Sequence, residues 1–267
     1  MEAGDRAAGR RIALLIQYDG RLYNGWQVQN GGRTIQGEIE RAVHVLTKER
    51  VRLTASGRTD AGVHAWGQVA HFDLWKEIDL GRLCIGANGI LPKDISILNA
   101  YRVPDEFHAR YSASSREYTY LVYNEHQRSP FMMYRALWIN RPINTDYLRL
   151  ALGHLVGEMD YASFCKKASA GAGTVRRIDS IEVGRSESLI AVNIKGSAFL
   201  HHMVRIIMGT VIEMHLAGRD PSHMLTVIEK RDRSAGGVTA PPFGLYLRKI
   251  NYEPPLSSRD AAFRLFN

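Results

Sequence analysis

The sequence has few of the features that indicate metal, redox or membrane chemistry. Its 267 residues include only two cysteines, Cys84 and Cys165, and neither stands in a CxxC or Cys/His pattern. Zinc sites and disulfide frameworks usually show such patterns, so neither is predicted. The apolar run at 12–16 is too short for a signal peptide, and no run approaches the length of a membrane span. We therefore expect a cytoplasmic protein with no metal site and no membrane segment.

Acidic residues are scarcer than basic ones, and the imbalance is uneven along the chain. Lys and Arg total 35 against 27 acidic residues, which gives a net charge of +8, and residues 107–267 contribute +7 of it. A basic surface attracts polyanions, and nucleic acid is the most common soluble polyanion. The same excess is also compatible with a basic surface that has no polyanionic partner. Charge alone does not separate the two interpretations.

Hydrophobic periodicity predicts the same order of elements twice. Between residues 12 and 102, alternation predicts strands and i, i+3, i+4 spacing predicts helices, in the order β-α-β-β-α-β. Residues 117–250 repeat this order with one further helix. The expected boundaries include a strand that ends at Tyr18, a strand near 51–56, a helix that Gly157 stops and a helix from 200 onwards. Three helices are expected to begin at capping residues, which are Thr34, Asp79 and Asn144. The pattern predicts an α+β fold of two ferredoxin-like halves with antiparallel sheets. We place the halves at 1–106 and 107–267.

Asp60 is the first candidate for chemistry. It lies in GRTDAGVHA at 57–65, between two predicted strands, with Gly57 and Gly62 on either side. Glycines let a ligand approach the backbone, and the cation of Arg58 favours the ionised carboxylate that a nucleophile needs. An Asp two residues before Gly is, however, by default a turn former. The residues alone leave both interpretations open and favour the turn.

GRTDAGVHA resembles the central motif of the TruA family of tRNA pseudouridine synthases, in which the Asp attacks the target nucleoside. Two departures from the family pattern, Ala87 and Pro242, concern local packing rather than chemistry. The resemblance extends over residues 11–252, and its further segments are YNGWQ at 23–27 with TIQ at 34–36, LPKDI at 91–95, FHARYSASSREYTY at 107–120, FL and MVR within 199–205, and TAP and GL within 239–245.

The resemblance implies a reaction and its partners. Members of the family isomerise uridine to pseudouridine at positions 38, 39 and 40, in the anticodon stem-loop of tRNA, without a cofactor. It also implies one catalytic unit with a central cleft, and a homodimer that holds tRNA across both subunits. Asp60 is then the nucleophile, and Arg58 binds substrate beside it.

Two tyrosines on the predicted strand at 117–123 have competing interpretations. Tyr118 and Tyr120 are two residues apart and therefore share a face, which by itself favours ordinary sheet packing. The resemblance instead makes Tyr118 the surface on which the flipped base stacks, and a candidate general base. Tyr120 is expected to stay in the core.

Arg205 lies on a predicted helix that is apolar nearly all round, so its guanidinium needs an acidic partner. A structural partner could be Glu213 or Glu158, whereas the resemblance makes Asp60 the partner. Leu245 would be a core residue by default. The resemblance places it against the target uracil as an apolar wall.

A basic cluster flanks a loop of small residues at 168–173. Such clusters are usually solvated surface, but here they are also candidates for contacts with the RNA backbone. Two other functions stay open: a pseudouridine synthase acting on another RNA, and a non-catalytic RNA-binding protein. The second is disfavoured because the aromatic RNP1 pattern is missing. The residues of the cluster are Lys166, Lys167, Arg176 and Arg177.

Overall fold

A computed structural model describes residues 10–166 and 173–256. The chain forms two compact units, one that runs up to Ser114 and resumes at Lys249, and one from Ser115 to Arg248. The division between these compact units falls after Ser114. The reason lies in the FHAR segment, where the Ala109 N–H donates to Nδ1 of His71, 3.1 Å away in the first unit.

The first unit has the predicted order of elements. Strand β1 is antiparallel to both β3 and β4, and β2 pairs with β3. Helix α1 packs on α2, and α2 packs on β4. The elements are β1 (Arg11–Tyr18), α1 (Ile35–Thr47), β2 (Thr54–Ala55), β3 (His64–Asp73), α2 (Leu80–Ile90) and β4 (Ile95–Arg102).

The second unit contains the remaining elements. Its antiparallel strands follow the order β5-β9-β8-β7, and β6 pairs with β5 in parallel. The elements are β5 (Ala113–Asn124), β6 (Leu137–Ile139), α3 (Thr145–Gly153), β7 (Gly157–Asp160), β8 (Val175–Ser186), β9 (Leu189–Gly196), α4 (Met203–Leu216), α5 (His223–Lys230) and β10 (Leu245–Tyr252), the last of which continues into the first unit.

The α+β class is confirmed in the described residues, which form five α-helices and mostly antiparallel strands. Three of the helices begin directly after a polar residue whose side chain caps the helix. Thr34 Oγ1 accepts a hydrogen bond from the Gly37 N–H, and Asp79 and Asn144 accept from the first turns of α2 and α3. These side chains satisfy N–H groups that have no partner within the helix.

Three boundaries differ from the sequence prediction. The strand expected at 51–56 shrinks to the two residues of β2, and the helix expected from 200 begins at Met203. Gly157 does not end α3, which stops at Gly153. It opens β7 instead with a φ of 125°, a value that L side chains rarely adopt.

No helix within residues 10–166 and 173–256 is both long and apolar enough to cross a membrane.

Candidate active-site residues

Asp60 occupies the first position of a tight turn between β2 and β3. Its carbonyl oxygen accepts the Val63 N–H at 3.1 Å, and Gly62 at the third position has a φ of 79°. A positive φ at that position is the feature of a type II turn, which explains the glycine. The side chain of Asp60 is half-buried, and Arg58 is exposed. The turn interpretation of this motif is therefore correct, and the hydrogen bond that closes the turn uses the backbone carbonyl of Asp60.

Three hydrogen bonds hold Gly57 and Thr59, which precede Asp60 in the chain. Thr59 accepts the Trp26 N–H at its carbonyl oxygen, 3.1 Å away. Its Oγ1 is 2.8 Å from the hydroxyl of Tyr18, in a buried hydrogen bond. The Gln68 amide donates to the carbonyl of Gly57 at 2.8 Å. Since the residues that precede Asp60 are anchored in this way, the position of the turn is set by the fold of the first unit.

The glycine of YNGWQ lies directly against the Asp60 turn. Gly25 has a φ of 86°, and a Cβ on it would lie 2.6 Å from the carbonyl oxygen of Thr59. Its own carbonyl accepts the Ile35 N–H at the start of α1. A larger residue would be strained and would also displace the turn.

In the second unit, Tyr118 and Tyr120 share a face of β5 but differ in exposure. Tyr120 is fully buried, and its hydroxyl donates to the carbonyl of Pro241 at 2.9 Å. Burial raises the pKa of Tyr120, so its phenol stays neutral. Tyr118 is half-buried, and its ring meets Phe199 edge-on with centroids 5.1 Å apart. Tyr120 is thus a core residue as expected, while Tyr118 is partly exposed.

Arg205 lies on α4, whose other residues are largely buried. Arg205 itself is half-buried. Its Nε donates to the Ala240 carbonyl at 2.8 Å, and the Ala240 N–H donates back to the Arg205 carbonyl. Glu213, a structural alternative as partner, accepts the Val238 N–H at 3.1 Å. Both residues therefore hold the segment that leads to Leu245, which is buried at the start of β10.

A family model described as tRNA pseudouridine synthase matches residues 14–112 and 151–253. The chain belongs to the TruA family of tRNA pseudouridine synthases. The matched stretches contain the Asp60 turn, Arg205 and Leu245, and Tyr118 falls between them.

Curated relatives named "tRNA pseudouridine synthase A" agree with this assignment. One from Coxiella burnetii is 44% identical over 245 residues, covering 91% of this chain and 94% of the relative. A second, from Methylococcus capsulatus, is 42% identical over 254 residues, covering 95% and 94%. A third, from Bacillus subtilis, is 40% identical over 245 residues, covering 91% and 99%. As a TruA-family member, the protein is an enzyme that isomerises uridine in tRNA.

Similarity to a solved structure, titled "Crystal Structure of a Cbf5-Nop10-Gar1 Complex", is much weaker. The identity is 11% and the TM-score 0.34, with 91% of this chain and 59% of that chain covered. Similarity at this level adds nothing to the TruA-family assignment.

Several residues of the TruA-family motifs support the Asp60 turn. The Tyr23 hydroxyl donates to the carboxylate of Asp94, which belongs to LPKDI. Burial and this hydrogen bond raise the pKa of Tyr23, so the phenol remains a donor. The Gln36 N–H donates to the Trp26 carbonyl at 3.1 Å. These motifs therefore fix the segment that packs on Thr59.

Sequence reasoning missed two residues that position the turn. Tyr18 was seen only as the end of a strand, although its hydroxyl contacts Thr59 across 41 residues of sequence. His64, the histidine of GRTDAGVHA, is buried and accepts the Gly20 N–H at Nδ1, 3.2 Å away. A signal for His64 existed, because it lies within the central TruA-family motif. No local pattern marks Tyr18.

The basic cluster is only partly available for RNA. Lys166 and Arg177 are exposed, and Arg177 forms an ion pair with Asp179 at 2.9 Å. Arg176 is half-buried and donates to the carbonyl of Val175 at 2.6 Å. Lys167 lies outside the described residues. At least two cations of the cluster are therefore presented to solvent.

Proposed function

We propose that this TruA-family enzyme converts uridine to pseudouridine at positions 38, 39 and 40 of the tRNA anticodon stem-loop, with Asp60 as nucleophile. The observation that carries the proposal is that Asp60 is half-buried, in a turn held before it at Thr59 and after it at His64. An anchored carboxylate can meet a flipped nucleotide without reorganising first, which is what makes such a group effective.

The proposed reaction conserves every atom of the substrate. The Asp60 carboxylate attacks the nucleotide, at C6 of uracil or C1′ of ribose, and the N1–C1′ bond breaks. The base turns, C5 bonds to C1′, the bond between Asp60 and the nucleotide breaks, the C5 proton leaves and N1 gains a proton, so that the free Asp60 carboxylate is restored. Water must be kept from the opened intermediate, and buried apolar surroundings serve that purpose.

Further side chains have proposed roles in this reaction. Tyr118 offers its half-buried ring as a stacking surface and is the proposed group that accepts the C5 proton. Arg205 acts electrostatically on the reacting carboxylate, Leu245 forms an apolar wall for the uracil, and Arg58 binds substrate from its exposed position. These roles rest on the family motifs that the residues match.

The proposal also includes the assembly of the protein. Each of the two units would be a ferredoxin-like half, the first carrying the catalytic Asp and the second carrying the base-stacking Tyr. The enzyme would act as a homodimer in the cytoplasm, where its tRNA substrate is found. Sedimentation of the purified protein with and without tRNA tests the dimer.

One experiment tests the proposed function directly. Pseudouridine is mapped in tRNA from cells with and without this protein, and the purified enzyme is then added to tRNA from the deficient cells. We expect pseudouridine at 38, 39 and 40 to disappear and then return. Loss at other positions, or in another RNA, would contradict the proposed target.

Chelation is expected to leave activity intact. The isomerisation involves no redox change and no step that demands a Lewis acid, so we propose that the enzyme needs no cofactor. The measurement is the rate of pseudouridine formation after exhaustive dialysis against EDTA, with tRNA folded beforehand so that magnesium is not needed for its shape. Loss of activity that zinc alone restores would show that a metal takes part.

Neutralising the basic cluster is expected to weaken tRNA binding and flatten its salt dependence. Each lost phosphate contact reduces the magnitude of the slope of log K against log salt by ~0.7–0.9. The single-turnover rate at saturating enzyme should change little, because phosphate contacts position RNA without taking part in chemistry. An unchanged slope would identify these residues as solvated surface. The variant replaces Lys166, Lys167, Arg176 and Arg177 with glutamine.

A further inference from the structure

The loop between β5 and β6, residues 125–136, exposes several large apolar side chains beside basic ones. Phe131 is 81% exposed, Met133 53% and Tyr134 51%. Arg128 and Arg135 are exposed as well, and Glu125 is the only acidic residue in the sequence of the loop. Exposed apolar residues grouped in this way mark interaction sites more often than ordinary surface.

The base of the 125–136 loop is firmly built. Because β6 is parallel to β5, the chain must turn back after Asn124, which pairs with Ile139. The buried side chain of Asn124 donates to the carbonyls of Ile139 and Arg141 at 2.9 and 2.8 Å. On the far side, the Trp138 indole donates to the carbonyl of Glu125. The loop is therefore an ordered feature of the fold.

Further contacts fix the side of the loop that carries Tyr134. The Arg135 carbonyl accepts the hydroxyl of Tyr246 at 2.7 Å. Tyr134 has a φ of 59°, a conformation that bulky residues rarely adopt without a constraint. Its ring meets Phe243 edge-on, with centroids 5.8 Å apart. Phe243 is two residues from Leu245, so the loop is tied to the segment proposed to bound the target uracil.

We propose that the 125–136 loop is a stacking platform for unpaired nucleotides of the tRNA substrate, next to the target uridine. Every base offers a flat π face, and Phe131 and Tyr134 offer exposed aromatic rings. Arg128 and Arg135 supply cations for phosphates, or guanidinium planes for the same bases. The scarcity of acidic side chains favours a polyanion over a protein partner. The inference rests on the proposed function, because it requires tRNA to be the substrate.

Phe131 provides the test. Phe131→Leu removes the ring but keeps an apolar side chain, whereas Phe131→Tyr keeps the ring. We expect Phe131→Leu to weaken binding of an anticodon stem-loop RNA by about 5- to 100-fold, the range of one lost base stack. Phe131→Tyr should bind as wild type. Leu150→Ala on α3 is the control, since Leu150 is a similarly exposed apolar residue of the same unit, outside the loop.

Two further measurements distinguish base stacking from contacts with the RNA backbone. A fully paired RNA duplex of the same length has no bases free to stack, so we expect wild type to bind it more weakly than the stem-loop. Wild type and Phe131→Leu should bind this duplex with equal affinity. The salt slope should also be unchanged in Phe131→Leu but reduced when Arg128 and Arg135 are replaced by glutamine. Equal binding of the stem-loop by Phe131→Leu and wild type would overturn the proposal.

The other possible occupant of the loop is a second copy of this chain. If sedimentation showed that Phe131→Leu dissociates a dimer of the wild-type protein, the loop would be a subunit interface and the proposal would be wrong. If the proposed function were wrong, the result would be different: wild type would bind the stem-loop but form no pseudouridine in it. The binding comparison would then still decide whether the loop stacks on RNA.

Discussion

Asp60→Asn is expected to abolish pseudouridine formation while the protein stays folded and still binds tRNA. The two side chains have nearly the same size, and the hydrogen bond that closes the turn uses the backbone carbonyl of residue 60. Only the charge and nucleophilicity of the side chain change. Removal of a nucleophile typically lowers a rate by more than about 10⁴-fold. The measurement is single-turnover pseudouridine formation at saturating enzyme.

Asp79→Asn provides the matched control. Asp79 caps α2 by accepting the Arg82 N–H at 2.8 Å, and asparagine caps a helix about as well. The same chemical change should therefore leave both activity and stability near wild type. Measurable multiple turnover by Asp60→Asn would show that another group is the nucleophile.

Gly25→Ala is expected to have the second-largest effect, on stability and activity together. The methyl group would require a strained φ and would lie 2.6 Å from the carbonyl oxygen of Thr59, so the backbone beside Asp60 must move. We expect the free energy of unfolding to fall by about 2–4 kcal/mol. Displacement of the carboxylate by about 1 Å would lower the rate by about 10²-fold.

Gly31→Ala is the control that separates the effect of a strained φ from the effect of displacing the Asp60 turn. Gly31 has nearly the same φ, 84°, but nothing lies within 4 Å of the position its Cβ would take. It should lose only about 1–2 kcal/mol of stability and keep its activity. Urea unfolding and single-turnover rates of both variants make the comparison. Equal activities of the two would mean that Gly25 does not position the turn.

Local signals in the sequence predicted much of the fold. Thr34, Asp79 and Asn144 were recognised because a cap and the helix it begins are neighbours in sequence. The short strands β6 and β7 were missed because three or four residues show no clear alternation. Their pairing with β5 and β8 depends on tertiary contacts that periodicity does not report.

The candidate site was predictable in part, and the signal was a sequence motif rather than local periodicity. Asp60 was recognised as a candidate because nine consecutive residues match one family motif. The contacts that anchor the turn, from Tyr18 to Thr59 and from Gln68 to Gly57, were not predictable. They join residues that are far apart in sequence and that no single motif contains. The contact of Arg205 with Ala240 was not predictable either, because a helix that is apolar overall does not reveal which backbone carbonyl a long side chain reaches.

The return of the last strand to the first unit has a consequence for biosynthesis. The Tyr252 hydroxyl donates to the Ala109 carbonyl at 2.8 Å, and its ring packs on Phe107. A ribosome makes about 5–20 residues per second from the N-terminus onwards, so Ala109 emerges many seconds before Tyr252 exists. The second unit is one uninterrupted stretch and can fold as it emerges, whereas the nascent first unit must wait. The N-terminal part of the chain, which contains the Asp60 turn, is thus the last to be completed.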